Sequence, residues 1–271
     1  MDNGRMTPED YLDDNVTYGR RDRDAIPIAH VIEKLDEHLS RNDYAAAERH
    51  LCYWEAEATE ARNLRALYTI VNEQIGLFRK LGRQEEAFDR AAYALKITEE
   101  AGLSGTAAEA TAYINAATAY KAFGRVSDAL PLYEAARKIY ERDLENTDER
   151  LGGLYNNYAL ALAEVGEYDR AEALFYRAIG IMAQNRMMPE EAVSYLNLAD
   201  LYEARDGIEA GDEKIQKCLN EAERLLDDPE NTQDGNYAFV CEKCHPTFDY
   251  FGRFFYAEEL RKRMRRIYER P

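Results

Sequence analysis

Small and apolar residues recur along this chain at fixed distances. The pattern is fullest in "LGRQEEAFDRAAYALKI" (Leu81 to Ile97), "FGRVSDALPLYEAARKI" (Phe123 to Ile139) and "VGEYDRAEALFYRAIGI" (Val165 to Ile181). Each has a Gly, an Ala five residues on, an apolar residue four after that and an Ala three later. The residues are Gly82, Ala87, Ala91 and Ala94; Gly124, Ala129, Tyr133 and Ala136; and Gly166, Ala171, Phe175 and Ala178. Upstream, Tyr113 and Tyr155 lie eleven before the Gly, and Ala117 and Ala159 seven before it. Self-similarity of this kind marks a repeat architecture.

Weaker copies complete the set. "RNDYAAAERHLCYW" puts Asn42 in the Gly slot, and "DYFGRFFYAEEL" places Gly252 and Ala257 at the same separation. "SYLNLADLYEARDG" repeats the upstream half with Tyr195, Ala199 and Tyr202, then carries about four extra residues before its second helix. The turn positions are 42, 82, 124, 166, 206 and 252. Each unit is predicted to be two antiparallel helices of roughly 15–18 residues. The Gly suits the left-handed residue that ends the first helix, and Asn42 is the next-best choice there. Small residues on both helices allow close backbone approach, and Tyr or Phe fills the space beside them. The expected organisation is a polar segment, 1–25, poorly ordered or extended, followed by one array over 26–271. Its units fall at about 28–63, 64–104, 106–146, 148–187, 189–228 and 235–270.

These units resemble tetratricopeptide repeats, lengthened from the usual ~34 residues to ~42. "YNNYALALAEVGEYDRAEALFYRAI" is similar to the repeats of kinesin light chains and of many bacterial repeat proteins. HEAT and armadillo repeats have similar periods but lack this Gly/Ala/aromatic/Ala set. The resemblance covers about residues 28–270 and departs from the pattern in the first, fifth and last units. It implies an all-α fold: an α-α superhelix, or solenoid, of about six helix-turn-helix repeats. It also implies a non-enzymatic scaffold or adaptor that binds a protein or peptide segment in a concave groove lined by the first helices.

Composition supports helices and narrows the partners. The chain has 271 residues and a hydrophobic fraction of 46%, enough for a sizeable core, with 7 Pro and 15 Gly. Its 52 acidic and 35 basic residues give a net charge of −17, which opposes binding to nucleic acid or an anionic membrane. The first residues are acidic where a signal peptide needs a basic start and an apolar run, and no stretch approaches a membrane-spanning length. Two of the four cysteines, Cys52 and Cys218, stand alone on helical patterns, so a reducing cytoplasm fits better than a disulfide scaffold.

On the expected groove, Asn115, Asn157 and Asn197 each lie nine residues before their turn position, a spacing that stacks them along one wall. Asn72 extends the series from one residue out of register. An amide offers both a donor and an acceptor, matching the peptide group of an extended ligand. By resemblance, peptide-binding tetratricopeptide proteins clamp ligand backbone with asparagines at the corresponding place. The competing reading is that these amides only tie neighbouring helices together. Arg79, Lys80 and Lys121 make the early half basic, and Glu164, Asp200 and Glu203 make the later half acidic. Thr111, Thr118, Asn156 and Leu160 complete the expected surface. "ELRKRMRRIYER" reads as a solvated capping helix, with Leu260, Met264, Ile267 and Tyr268 forming its apolar stripe.

The string "CEKCH", Cys241 to His245, matches the C-x-x-C-H of covalent haem attachment. In the repeat frame both thiols fall on one face of the last unit's first helix and read as small buried hydrophobes. His38, His50 and His30 lie in the first unit, so a zinc site would lack ligands. A metal- or haem-binding redox protein built on Cys241, Cys244 and His245 is the alternative, and a self-assembling module forming homo-oligomers is a third. Pro246 is expected to kink or restart its helix. The sequence carries no phosphate loop and no hydrolase or metalloprotease motif, and the expectation is no catalytic residue and no cofactor.

Overall fold

The structure, a computed structural model, describes residues 26–269, and the polar segment expected over 1–25 lies outside them. Twelve α-helices, paired as six hairpins, account for nearly all of the described residues. They divide into two compact units at Asp143 and Leu144. The first unit holds α1 (Ile28–Ser40), α2 (Tyr44–Glu60), α3 (Leu64–Lys80), α4 (Gln84–Glu100), α5 (Ala107–Ala122) and α6 (Val126–Asp143). The second holds α7 (Glu149–Glu164), α8 (Tyr168–Gln184), α9 (Met188–Asp206), α10 (Ile208–Leu226), α11 (Gly235–Tyr250) and α12 (Phe254–Tyr268). None of these helices is long and apolar enough to cross a membrane.

The turns explain why the repeats are visible in the sequence. Asn42, Gly82, Gly124, Gly166 and Gly252 all have φ between 55° and 80°. In each case the following residue donates its N–H to the carbonyl five residues back: Asp43 to His38, Arg83 to Phe78, Arg125 to Tyr120, Glu167 to Leu162 and Arg253 to Phe248, at 2.8–2.9 Å. This is the Schellman closure, and it needs a residue that tolerates the left-handed region. At other helix starts Asp43, Asn63, Asp148 and Asp234 accept a backbone N–H and act as N-caps.

The fifth hairpin differs from expectation. The four additional residues form no loop before the second helix; α9 and α10 each run to 19 residues and are joined by Gly207 alone. Gly207 sits at φ 81°, ψ 162°, a region essentially closed to residues with a Cβ, and this permits reversal within one residue.

Packing follows the small-residue code. Ala47, Ala87, Ala129, Ala171 and Ala257, each five residues after its turn position, are fully buried, and so are Ala94, Ala136 and Ala178. Tyr133 and Phe175 fill the space next to them and are also fully buried. Within each unit the second helix of one hairpin packs on the first helix of the next: α2 on α3, α4 on α5, α8 on α9. First helices also lie side by side, α3 with α5, α7 with α9 and α9 with α11, and their shared outer face is called the wall below.

Pro246 neither stops nor restarts its helix; α11 runs through it. The bond lost to its missing N–H is that to Glu242, an exposed residue whose carbonyl water can satisfy. On α12, Leu260 is buried and Met264 and Ile267 half-buried. Three of its four arginines are matched by carboxylates: Arg261 by Glu258 and Asp249, Arg263 by Glu259 and Asp227, and Arg266 by Glu259.

Candidate ligand-binding walls

In the unit spanning 26–143, the wall is built on α3 and α5. Asn72 Nδ2 donates to the Tyr68 carbonyl at 2.9 Å, which turns its own oxygen outward, and Asn115 Nδ2 donates to that oxygen at 2.8 Å. Asn115 is half-buried, and its carbonyl oxygen has no partner among the described residues. Thr118 Oγ1 lies 3.0 Å from the Tyr133 hydroxyl, and Thr111 Oγ1 lies 2.7 Å from that of Tyr140. Burial pushes the Tyr133 hydroxyl up to about 12, with Thr118 and the Arg79 charge working against that rise. Arg79 and Lys121 are half-buried at the wall's margin, and the exposed Lys80 stacks over the Tyr44 ring at 5.3 Å.

In the unit spanning 144–269, a second amide pair joins α7 to α9. Asn197 Nδ2 donates to Asn156 Oδ1 at 3.0 Å, and Ser194 Oγ approaches the same oxygen at 3.1 Å. The partner of Asn197 is thus Asn156 and not Asn157, so the stacked series expected at nine residues before each turn does not form as a continuous chain of amides. Asn72, Asn156, Asn157 and Asn197 retain 4%, 0%, 7% and 8% exposure, so Asn156 contributes no surface of its own. Asn157 has no hydrogen-bond partner among the described residues, and its polar atoms are not sealed from solvent.

Acidic groups surround this second pair. Asp200 and Glu164 are exposed, and Glu203 is half-buried. Tyr250, from α11, donates its hydroxyl to Glu203 Oε1 at 2.9 Å. Loss of solvation, then the neighbouring Glu203, pushes the Asp200 carboxyl up to about 7. Leu160 on α7 and Pro246 on α11 occupy the same step before their turns as Asp200 and add apolar surface.

The C-x-x-C-H residues are part of the core. Cys241 and Cys244 are buried. Burial pushes the Cys241 thiol up to about 11 and the Cys244 thiol well above its usual range. Burial thus favours the protonated thiol at both positions. His245 is half-buried, with burial, then the Arg261 charge, holding its ring below the usual range.

Some of the site was missed at the sequence level. Tyr250 carries no repeat signature, and its link to Glu203 spans 47 residues. Tyr202, read as repeat packing, also donates to Glu172 Oε1 at 2.7 Å, and Arg205 Nη1 reaches Glu172 Oε2 at 2.6 Å, tying α8 to α9. No spacing rule connects such distant positions.

No protein-family model matches the sequence, and no curated protein matches it either. Solved structures do. The structure of BtubC (BKLC) from P. vanneervenii is similar with a TM-score of 0.63 and 22% identity, covering 76% of this chain and 84% of that one. A putative kinesin light chain of Podosopora anserina, described as nearly identical TPR-like repeats, gives a TM-score of 0.51 and 19% identity, covering 72% and 92%. A variant of that protein gives 0.52 and 19%, covering 72% and 91%. At these identities the likeness is one of fold. The chain has the fold of a tetratricopeptide-like repeat solenoid, with six helix-turn-helix hairpins among its described residues.

Proposed function

We propose that this chain is a non-catalytic scaffold whose first helices bind an extended peptide or protein segment, acting in the cytoplasm. The observation that carries this reading is a pair of amides with unused hydrogen-bonding capacity on otherwise packed walls: the Asn115 carbonyl oxygen and the Asn157 side chain, neither with a partner among the described residues. Water reaches both groups, and the peptide group of a ligand would replace it with a direct hydrogen bond worth about 0.5–1.5 kcal/mol net. Tetratricopeptide-like folds commonly act as protein-interaction scaffolds, which supports the same reading. The net charge of −17 directs it away from nucleic acid and anionic membranes.

The test is a random decapeptide display library panned with the full chain. Enriched peptides are expected to bind Asn115→Ala or Asn157→Ala about fivefold more weakly, the cost of losing one backbone contact, with helicity by circular dichroism unchanged. Enriched peptides that bind both single variants as well as the wild type would remove both residues from the site.

A further inference from the structure

Asn157 is an exception on its wall. The other buried side-chain amides of the first helices, Asn72, Gln74, Asn156 and Asn197, all make hydrogen bonds. Asn157 makes none among the described residues, although only 7% of it is exposed. Leu160 and Glu164 follow it by three and seven residues, so all three lie on one stripe of α7, and that stripe opens to solvent at Glu164. The Asn157 amide therefore lies on the same face of α7 as the exposed Glu164, and its polar atoms are not sealed from solvent.

Those groups lack a counter-charge. Asp200 forms no ion pair among the described residues. Glu203 takes its hydrogen bond from the neutral Tyr250 hydroxyl. The hydroxyl of Tyr250 also feels the Asp200 charge, which places the three groups together. Lys243, the nearest basic residue by sequence on α11, lies instead over the Phe239 ring at 5.2 Å. Only about half of the other carboxylates in this unit have an ion-pair partner, among them Glu172 with Arg205, Glu223 with Arg253, and Asp227 and Glu259 with Arg263. Leu160 and Pro246, at the same step before their turns as Asp200, offer apolar surface of the kind that the alkyl stem of a lysine or arginine covers.

We infer that the wall of residues 144–269 takes a cationic segment, with a Lys or Arg side chain held by Asp200 and Glu203 and the adjoining peptide group held by Asn157. This rests on the reading of the first helices as a binding face. A guanidinium or ammonium placed there would supply the charge that Asp200 lacks, and the bond would be charge-assisted and partly desolvated.

The assignment is tested with three sets of fluorescent decapeptides of matched Ala, Ser and Leu content, titrated by anisotropy against the full chain. One set carries two Lys or Arg, one carries two Asp or Glu, and one is uncharged. The basic set is expected to bind at least about tenfold more tightly than the acidic set, as a charge-assisted contact requires. Asp200→Asn should lower that affinity about tenfold and leave the uncharged set unchanged, while Asp200→Lys lowers it further. Asn157→Ala should weaken the basic and uncharged sets alike. Asp200 is exposed, and unchanged helicity by circular dichroism checks that each variant folds. Preference for the acidic set, or equal affinity of wild type and Asp200→Asn for the basic set, overturns the inference. If uncharged peptides bind and lose affinity in Asn157→Ala while charge has no effect, the binding face stands and the cationic assignment falls. If no set binds the wild type, both fall.

Discussion

The two units carry the same amide device in opposite electrical surroundings. In residues 26–143 the Asn72–Asn115 bond is bordered by Arg79, Lys80 and Lys121. In residues 144–269 the Asn156–Asn197 bond is bordered by Glu164, Asp200 and Glu203. The positions three before each turn show the change most directly: Arg79 and Lys121 in one unit, Glu203 in the other. Ten residues before its turn, the inner amide of each pair is held by packing and reaches the neighbouring first helix. Three residues before the turn, side chains leave the packed face and are free to vary. Repeat geometry thus dictates where the amides meet, and the outer positions decide what charge a ligand would meet.

The largest test of this comparison concerns the shared core. Phe175 and Tyr133 occupy the same slot nine residues after their turns and are both fully buried. Phe175→Ala should cost about 3–5 kcal/mol in chemical denaturation, by loss of transfer energy and a residual cavity. Tyr133→Phe keeps the volume and removes the hydroxyl that meets Thr118, so about 1 kcal/mol is expected. Equal losses for the two variants would mean that the slot is not equivalent in the two units.

The amide pairs should differ next. Asn156 Oδ1 serves two donors, from Asn197 and Ser194, all three residues being buried. Asn72 Oδ1 accepts from the half-buried Asn115. Asn156→Ala should therefore cost about 2–3 kcal/mol, and Asn72→Ala about 1 kcal/mol less, since water can reach the Asn115 amide. The reverse order in urea titrations would show that the pairs are not held as described.

Much of this was legible beforehand. The alanines five residues after each turn announce themselves because only a small side chain lets paired helices approach, and the glycines because only they accept the turn's φ at no cost. The register of the second amide pair was hidden. Asn156 and Asn157 are sequence neighbours, and which one reaches Asn197 depends on the azimuth of α7, which a one-residue offset does not reveal. The roughly four extra residues near position 206 read as lying before the second helix, because a shift in spacing does not say whether it lengthens a helix or a turn. The "CEKCH" string carried the opposite hazard, a chemical motif whose thiols serve as packing volume.

A smaller effect separates the walls by pH. Asp200 has a folded-state value of about 7, above the ordinary carboxylate range, with Glu203 beside it and Tyr250 facing it from α11. Its contribution is thus most favourable below the unfolded value of about 4 and is lost as pH rises toward 7. Melting temperature should fall more between pH 5 and 7.5 for the wild type than for Asp200→Asn, measured in parallel. Identical slopes would mean that Asp200 titrates like an ordinary surface carboxylate. Smallest of all, Tyr250→Phe removes one exposed bond to Glu203 and should change stability by about 0.5 kcal/mol or less.

The Schellman closures have a consequence for how such a chain can grow. All of the bonds that shape each of those five joints lie within a handful of consecutive residues, so gene duplication could copy a hairpin without redesigning its neighbours. The joint at Gly207 is the exception. Its one-residue reversal tolerates no side chain, and a duplicated fifth hairpin would have to inherit that glycine to keep its two helices antiparallel.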